Sequence, residues 1–337
     1  MVNEIPYAYA KACGIIGKSF VGKRFSLLAG LHSLSELDRL VFPENYRELP
    51  GMELLADLEN RIIQRAVRQI YTVVNVFSNP PELLVRMLRA HEYSDLKTCL
   101  HDIAVGKKDI PPLCNIGRFQ TIRFEAFPDI TAMLKNTEFE FLLSDIKASK
   151  LDIMDITKIE TKLDNLYYLG LADSLARLPF EDRGIVQRLL VFEISLRNCA
   201  WALRLRSYYN KTAAEAGKYL INMKVQGRSL VTEALESLNL PLDSRYSWNG
   251  WKWEKFLNPE EATAHWSANP RYFQNAASQY LYQIAMRNFH TSPMEISAIF
   301  CYIKLKQFEE DLLTSLAEGL ALGMDSSGVF RLLEGSL

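Results

Sequence analysis

From Ile299 to Leu322 the apolar residues Leu305, Phe308, Leu312, Leu316 and Leu320 recur every three or four positions, while Gln307, Glu310, Asp311, Thr314 and Glu318 take the other side. That period predicts one long amphipathic α-helix. Gly323 ends it, and Asp325 is placed to cap a short second helix through Val329, Leu332 and Leu333. The same long-then-short design recurs at Phe192 to Leu220, where Thr212 and Glu215 stand three apart as a capping box. A shorter echo is Tyr93 to Leu100.

The rest of the chain has the same helical period. Ile5 to Leu28 predicts a helix interrupted near Gly14 and Gly17, and Leu34 to Leu40 a short one ended by Phe42-Pro43. Leu54, Leu58, Ile62, Ala66, Ile70, Val73 and Val74 predict a long helix between Pro50-Gly51 and Ser78-Asn79-Pro80-Pro81. Further helices are predicted at Glu82 to His91, Tyr93 to Ile103, Ile130 to Leu134, Glu138 to Ile146, Ile156 to Leu178 and Gly184 to Tyr208. Strand signals are slight, since the one tempting run, Tyr71 to Phe77, continues a helix.

These elements align as three copies. Leu58-Glu59, Ile159-Glu160 and Trp253-Glu254 each stand early in a long helical pattern, 101 and 94 residues apart. Leu96, Leu196 and Leu312 mark a second anchor, 37, 36 and 58 residues after the three glutamates, so the third copy carries an insertion around Trp266 to His290. The fold class expected is all-α, with three similar helical-bundle domains from internal triplication: residues 1–113, 114–228 and 229–337.

Composition narrows the function. The 337 residues are 48% hydrophobic, enough for packed cores, and 39 basic against 40 acidic residues leave a net charge of -1. No bulk attraction to nucleic acid or an anionic membrane follows from that balance. Cys13, Cys99, Cys114, Cys199 and Cys301 are scattered, with no C-x-x-C pair, and are expected to be reduced thiols of a cytosolic protein. No run of about 18 apolar residues is present, and Met1 to Phe20 lacks a signal-peptide core, so a soluble chain without direct membrane insertion is expected.

Four sets of residues together resemble the C-subunit family of V-type ATPases and ATP synthases, whose eukaryotic members are called the d subunit. They are Phe300-x-Tyr302-x-Lys304-Leu305-Lys306-x-x-Glu309, Phe192-Glu193 followed by Asn198 and Arg204, Glu160-x-x-Leu163-Asp164-x-x-Tyr167-Tyr168, and the opening Tyr7-Ala8-Tyr9-Ala10. Ser195 and Asp311 depart from the pattern, standing near places where the family often has asparagine. The resemblance implies a funnel of three helical domains, peripheral on the cytoplasmic face of a membrane. Seated on the membrane rotor-ring subunits, it would receive the foot of the central-stalk subunits in its mouth and pass torque between them. It implies no catalytic residue, cofactor or metal. A generic helical scaffold and an all-helical metal-dependent enzyme are the alternatives.

Each candidate for chemistry competes with a packing role. The five histidines are spread along the chain, and only His91 and His101 lie near one another, ten apart. Glu309-Glu310-Asp311 resembles the magnesium-holding carboxylates of helical prenyl-diphosphate enzymes but lacks a second facing cluster, so a solvated face or an inter-domain contact is expected. Trp248 and Trp251 sit in a turn with Gly250, where a loop has little room to bury two indoles; they are candidate partner contacts, with core packing as the alternative. Arg204 and Arg206, in the basic set Arg197, Arg204, Arg206 and Lys211, are candidates for an acidic partner, against the alternative of intra-domain pairing.

Ala12 to Ser19 resembles the end of a phosphate-binding loop, but Ala12 replaces the first glycine and the preceding residues favour helix, not the buried strand such a loop needs. The isolated protein is therefore expected neither to bind nor to hydrolyse ATP. Calorimetry checks this: micromolar binding abolished by Lys18→Ala would contradict it.

Overall fold

The structure is a computed structural model that describes residues 4–148, 153–225, 227–260 and 265–333. The outer ends of the first and third predicted domains, residues 1–3 and 334–337, lie outside the described residues. The chain is mostly helical, in this order: α1 (Glu4–Ile16), α2 (Leu34–Val41), α3 (Gly51–Val74), α4 (Glu82–Leu88), α5 (Ala90–Ala104), α6 (Ile130–Leu134) and α7 (Leu142–Ala148). There follow α8 (Ile153–Leu175), α9 (Phe180–Tyr209), α10 (Ala213–Ala216), α11 (Thr232–Ser237), α12 (Pro270–Thr291), α13 (Ile296–Ala321) and α14 (Ser326–Leu333). The strands among the described residues are β1 (Lys224–Val225) and β2 (Arg228–Ser229), an antiparallel pair with Lys224 opposite Ser229.

Local chemistry accounts for the helix ends. The Thr212 hydroxyl accepts from Glu215 N and the Glu215 carboxylate accepts from Thr212 N at 3.0 Å, the predicted capping box at α10. The Asn269 side chain caps α12, with Pro270 in the first turn where its missing N–H costs nothing. At the end of α13, Gly323 takes φ +79, and Met324 N donates back to Gly319 O at 3.0 Å. Asp325 then caps α14, its carboxylate accepting from Gly328 N at 2.7 Å. Gly319 itself permits close packing of α13 on α14, since a Cβ there would collide with Val329.

The helix predicted over Ile299 to Leu322 is α13, and it is the centre of the molecule, packing on α12, α3, α1, α9 and α14. Its second half is amphipathic, with Leu313, Leu316 and Leu320 buried against α2, α3 and α14. Its first half is not: every residue from Ile296 to Lys306 is buried. That enclosure draws charge inside. Glu309 accepts from the Ser19 hydroxyl at 3.0 Å and from Phe20 N at 2.7 Å, pairs with Lys306 one turn away, and lies 3.7 Å from the Arg65 guanidinium of α3. Lys306 and Glu309 are 1% and 2% exposed, so of the two expectations for the acidic run the solvated face is corrected at Glu309 to a buried ion pair, while its contacts with Ser19, Phe20 and Arg65 join residues of the first and third predicted units. Ala12 to Ser19 is the end of α1 and the turn after it, and no strand precedes it among the described residues.

The largest hydrophobic core joins Ala8, Val73, Tyr168, Leu190, Phe289 and Ile299, residues from all three predicted sequence thirds. A second fills the space between α9, α11 and α12 with Trp248, Trp251, Trp253, Trp266 and Phe273. Of the repeat anchors, Leu58 and Ile159 are buried in α3 and α8, whereas Trp253 stands at a short 3-10 turn, Glu254–Phe256, and not in a long helix.

The room that a loop lacks for two indoles is supplied by α9, α11 and α12. Trp248 is 0% and Trp251 5% exposed; their ring N–H groups donate to Pro241 O at 2.8 Å and Glu233 O at 3.0 Å, and the rings meet edge-on at 5.1 Å. The surface argument that made them candidate partner contacts is thereby corrected, because burial with a satisfied N–H is what a core tryptophan requires.

Both buried sites set measurable stabilities. Trp248→Ala and Trp251→Ala are each expected to lower unfolding free energy by about 3–5 kcal/mol, measured by urea titration; a loss under about 1 kcal/mol would point back to the surface. Glu309→Ala should cost about 3–5 kcal/mol by stranding Lys306, and the double variant Lys306→Met with Glu309→Leu should recover part of that loss. A double variant less stable than Glu309→Ala would contradict this reading of the pair.

Candidate functional site

A cleft of about 420 Å³ lies between α8, α9, α12 and α13. Helical spacing builds its walls. Glu193, Arg197, Trp201 and Arg204 step by three or four along α9; Glu160, Asp164 and Tyr168 do so along α8; Lys304, Phe308 and Asp311 do so along α13, with Gln307 beside them. Gln274, Ser278 and Leu281 of α12 close the remaining side.

The charges form two internally satisfied groups and three open ends. Lys304 donates to Glu193 at 2.8 Å, and the Tyr168 hydroxyl donates to the same carboxylate at 3.1 Å. Burial, with Glu193 beside it, holds the Tyr168 phenol protonated far above its ordinary range. Asp164 accepts from Lys97 at 2.7 Å and from Arg197 at 3.5 Å, and the Arg197 guanidinium lies 5.7 Å from the Tyr168 ring centre. The side-chain charges of Glu160, Arg204 and Asp311 have no hydrogen-bond or ion-pair partner among the described residues. Asp311 is reached by solvent, yet the surrounding helices push its carboxyl up to about 6, against the pull of Lys304 and Arg197.

The neighbouring acidic residues of α13 do not act together in this cleft. The acidic run is split three ways: Glu309 enters the buried pair, Glu310 turns toward His91, and Asp311 lines the cleft. Glu310 Oε2 and His91 Nε2 are 4.0 Å apart and both buried; burial pushes the histidine down to about 4 and the carboxyl up to about 8, so the two are neutral together near pH 7. No group of three His, Cys, Asp or Glu side chains is arranged to hold a metal ion among the described residues.

Of the four predicted contact residues, Arg204 lines the cleft. Arg206 does not: it donates to Ser237 O at 2.6 Å and Leu240 O at 2.7 Å, satisfying carbonyls at the end of α11. Trp248 and Trp251 belong to the second core. Sequence reasoning passed over Trp201, the partly buried fifth tryptophan, although its spacing from Arg197 and Arg204 puts all three on one face of α9. It also passed over the direction of Asp311, for which no local signal exists. Glu160, Asp164, Tyr168, Glu193, Asn198, Arg204 and Lys304, drawn from three of the motifs that carry the family resemblance, all line this one cleft.

Comparison with known proteins agrees with that convergence. The profile of the family described as ATP synthase (C/AC39) subunit matches residues 23–329. A Treponema pallidum (strain Nichols) protein described as uncharacterized is 27% identical over 320 residues, covering 94% of this chain and 92% of that protein. The A-type ATP synthase C subunit of Methanosarcina mazei is 22% identical over 322 residues, 86% of this chain and 82% of that protein. That of Methanosarcina acetivorans is 22% identical over 204 residues, 57% of this chain and 51% of that protein. With its profile running from the turn at Lys23 into α14, the chain belongs to the ATP synthase (C/AC39) subunit family.

Proposed function

We propose that this chain is the non-catalytic central-rotor subunit of an A/V-type ATPase or ATP synthase. It sits on the membrane rotor ring at the cytoplasmic face and takes the foot of the central stalk in the cleft between α8, α9, α12 and α13. Torque passing through it couples ATP hydrolysis or synthesis to proton or sodium transport. Three helical units, 1–113, 114–228 and 229–337, arranged as a funnel, are part of the same proposal.

The observation that carries this reading is the gathering of family-motif residues from α8, α9 and α13 around one charged cleft. The helices support it mechanically: α9 and α13 are 30 and 26 residues long and packed along their lengths, which gives a coupling part stiffness without any reaction to perform. Attachment through protein and not lipid is supported by the absence, among the described residues, of a helix long and apolar enough to cross a membrane, and by a net charge of -1.

The chain is expected to co-purify with both ring and central stalk from detergent-solubilised membranes, and the purified chain is expected not to bind protein-free anionic liposomes. Recovery of an intact stalk and ring assembly without it, or firm liposome binding, would contradict the assignment.

A further inference from the structure

The cleft carries four cations and four carboxylates, and what their mutual pairing leaves over is two carboxylates against one cation. Lys97 and Arg197 share Asp164, and Lys304 holds Glu193, so three of the four cations already have carboxylate partners. Of the four carboxylates, Asp311 on α13 and Glu160 on α8 have none among the described residues. Filling the cleft with an uncharged surface would remove water from Asp311 and leave a stranded charge, which is costly. Filling it with a cation restores a partner at the place where water is lost. Trp201 of α9 and Phe308 of α13, both partly buried, offer apolar wall for the stem of a long basic side chain.

We propose that the cleft recognises a basic segment of the central stalk, with a lysine or arginine of that segment pairing with the Asp311 carboxylate. The inference rests on the function proposed above and adds the chemistry of the contact. Glu160 of α8 adds the same sign of charge to the lining, and Arg204 admits an acidic neighbour in the occupant. Lys304 on its own helix and Arg197 and Glu193 on α9 act on Asp311 directly; the other charged groups of the cleft are Arg204 on α9, Glu160 and Asp164 on α8 and Lys97 on α5, while α12 presents the uncharged Gln274 and Ser278. Because the helices crowded around it push the solvent-reached Asp311 carboxyl up to about 6, the pairing form is present above that pH and lost below it.

The test uses the purified full-length chain and the purified central-stalk subunits of the same organism, with affinity measured by calorimetry at pH 7.5 and pH 5. Asp311→Asn is expected to weaken binding by about tenfold or more at pH 7.5, while Asp311→Glu, which keeps the charge, stays within about threefold of the native chain. Native affinity should fall about tenfold at pH 5, where roughly one carboxyl in ten remains ionised, and Asp311→Asn should lack that part of the fall. Thermal melts separate folding from binding: Asp311→Asn removes an unpaired charge and is expected to melt no lower than the native chain. If that variant fails to fold, the pH dependence of the native chain and the Asp311→Glu comparison still decide. Equal affinity of Asp311→Asn and the native chain, or native affinity flat between the two pH values, overturns the pairing and leaves the stalk assignment standing. Absence of native binding at either pH overturns both.

Discussion

Lys306 and Glu309 sit where water does not reach, one turn apart on the helix at the centre of the molecule. Burial, and to a lesser degree the Arg65 guanidinium, disfavours the charged form of Lys306, so its ammonium depends on the carboxylate it touches. Glu309 in turn is shared out: one oxygen serves the Ser19 hydroxyl, the other the backbone N–H of Phe20. The node therefore ties α13 to the segment after α1 and brings α3 to its edge through Arg65. Close-packed apolar side chains already resist sliding of these helices, and a buried charge that must meet named partners adds a directional constraint to theirs. The node and the apolar contacts of α13 together set its register against its neighbours.

Register matters because α13 has a different task on each face. Next along the helix from the node, Glu310 turns to His91, where both groups are neutral and dry, and Asp311 turns to the cleft. Adjacent carboxylates on a helix point about 100° apart, so three consecutive acids are divided among a buried pair, a neutral contact and an open binding wall. Moving the helix by one residue would exchange these roles. The cleft also inherits its floor from α13 through Lys304, which holds Glu193 of α9 in place at 2.8 Å.

The cleft and the cores divide the polar and aromatic residues by one rule, satisfaction. Arg206, Asn198, Trp248 and Trp251 all find backbone partners: Asn198 alone donates to Ile221 O and Leu230 O and accepts from Ile221 N. Such side chains are parts of the fold. Glu160, Arg204 and Asp311 find none among the described residues, and they share a solvent-accessible space. The coupling role proposed above would need that contrast between a saturated interior and an unsaturated cleft, on helices long enough to resist bending.

Helical period, proline and glycine stops and capping residues are local, and so the all-helical class, the extents of α3 and α13 to within about three residues, the C-terminal end of α9, the Thr212 to Glu215 box and the Asp325 cap were all legible in the chain. So was the family, because its motifs are spacings along single helices. The sequence could not show which polar residues would be enclosed. Lys306 and Glu309 look like a solvated i,i+3 pair, and Trp248 and Trp251 look stranded in a loop, because burial is decided by elements far away in the chain: Ser19 lies 290 positions from Glu309, and Phe273 packs 5.7 Å from Trp251. Arg204 and Arg206 are two residues apart on one helix and of one chemistry, yet they fall on different faces, one open to the cleft and one tied to the end of α11. Periodicity tells which residues share a face; only the packing of α8, α12 and α13 around α9 decided which face became a core and which a cleft.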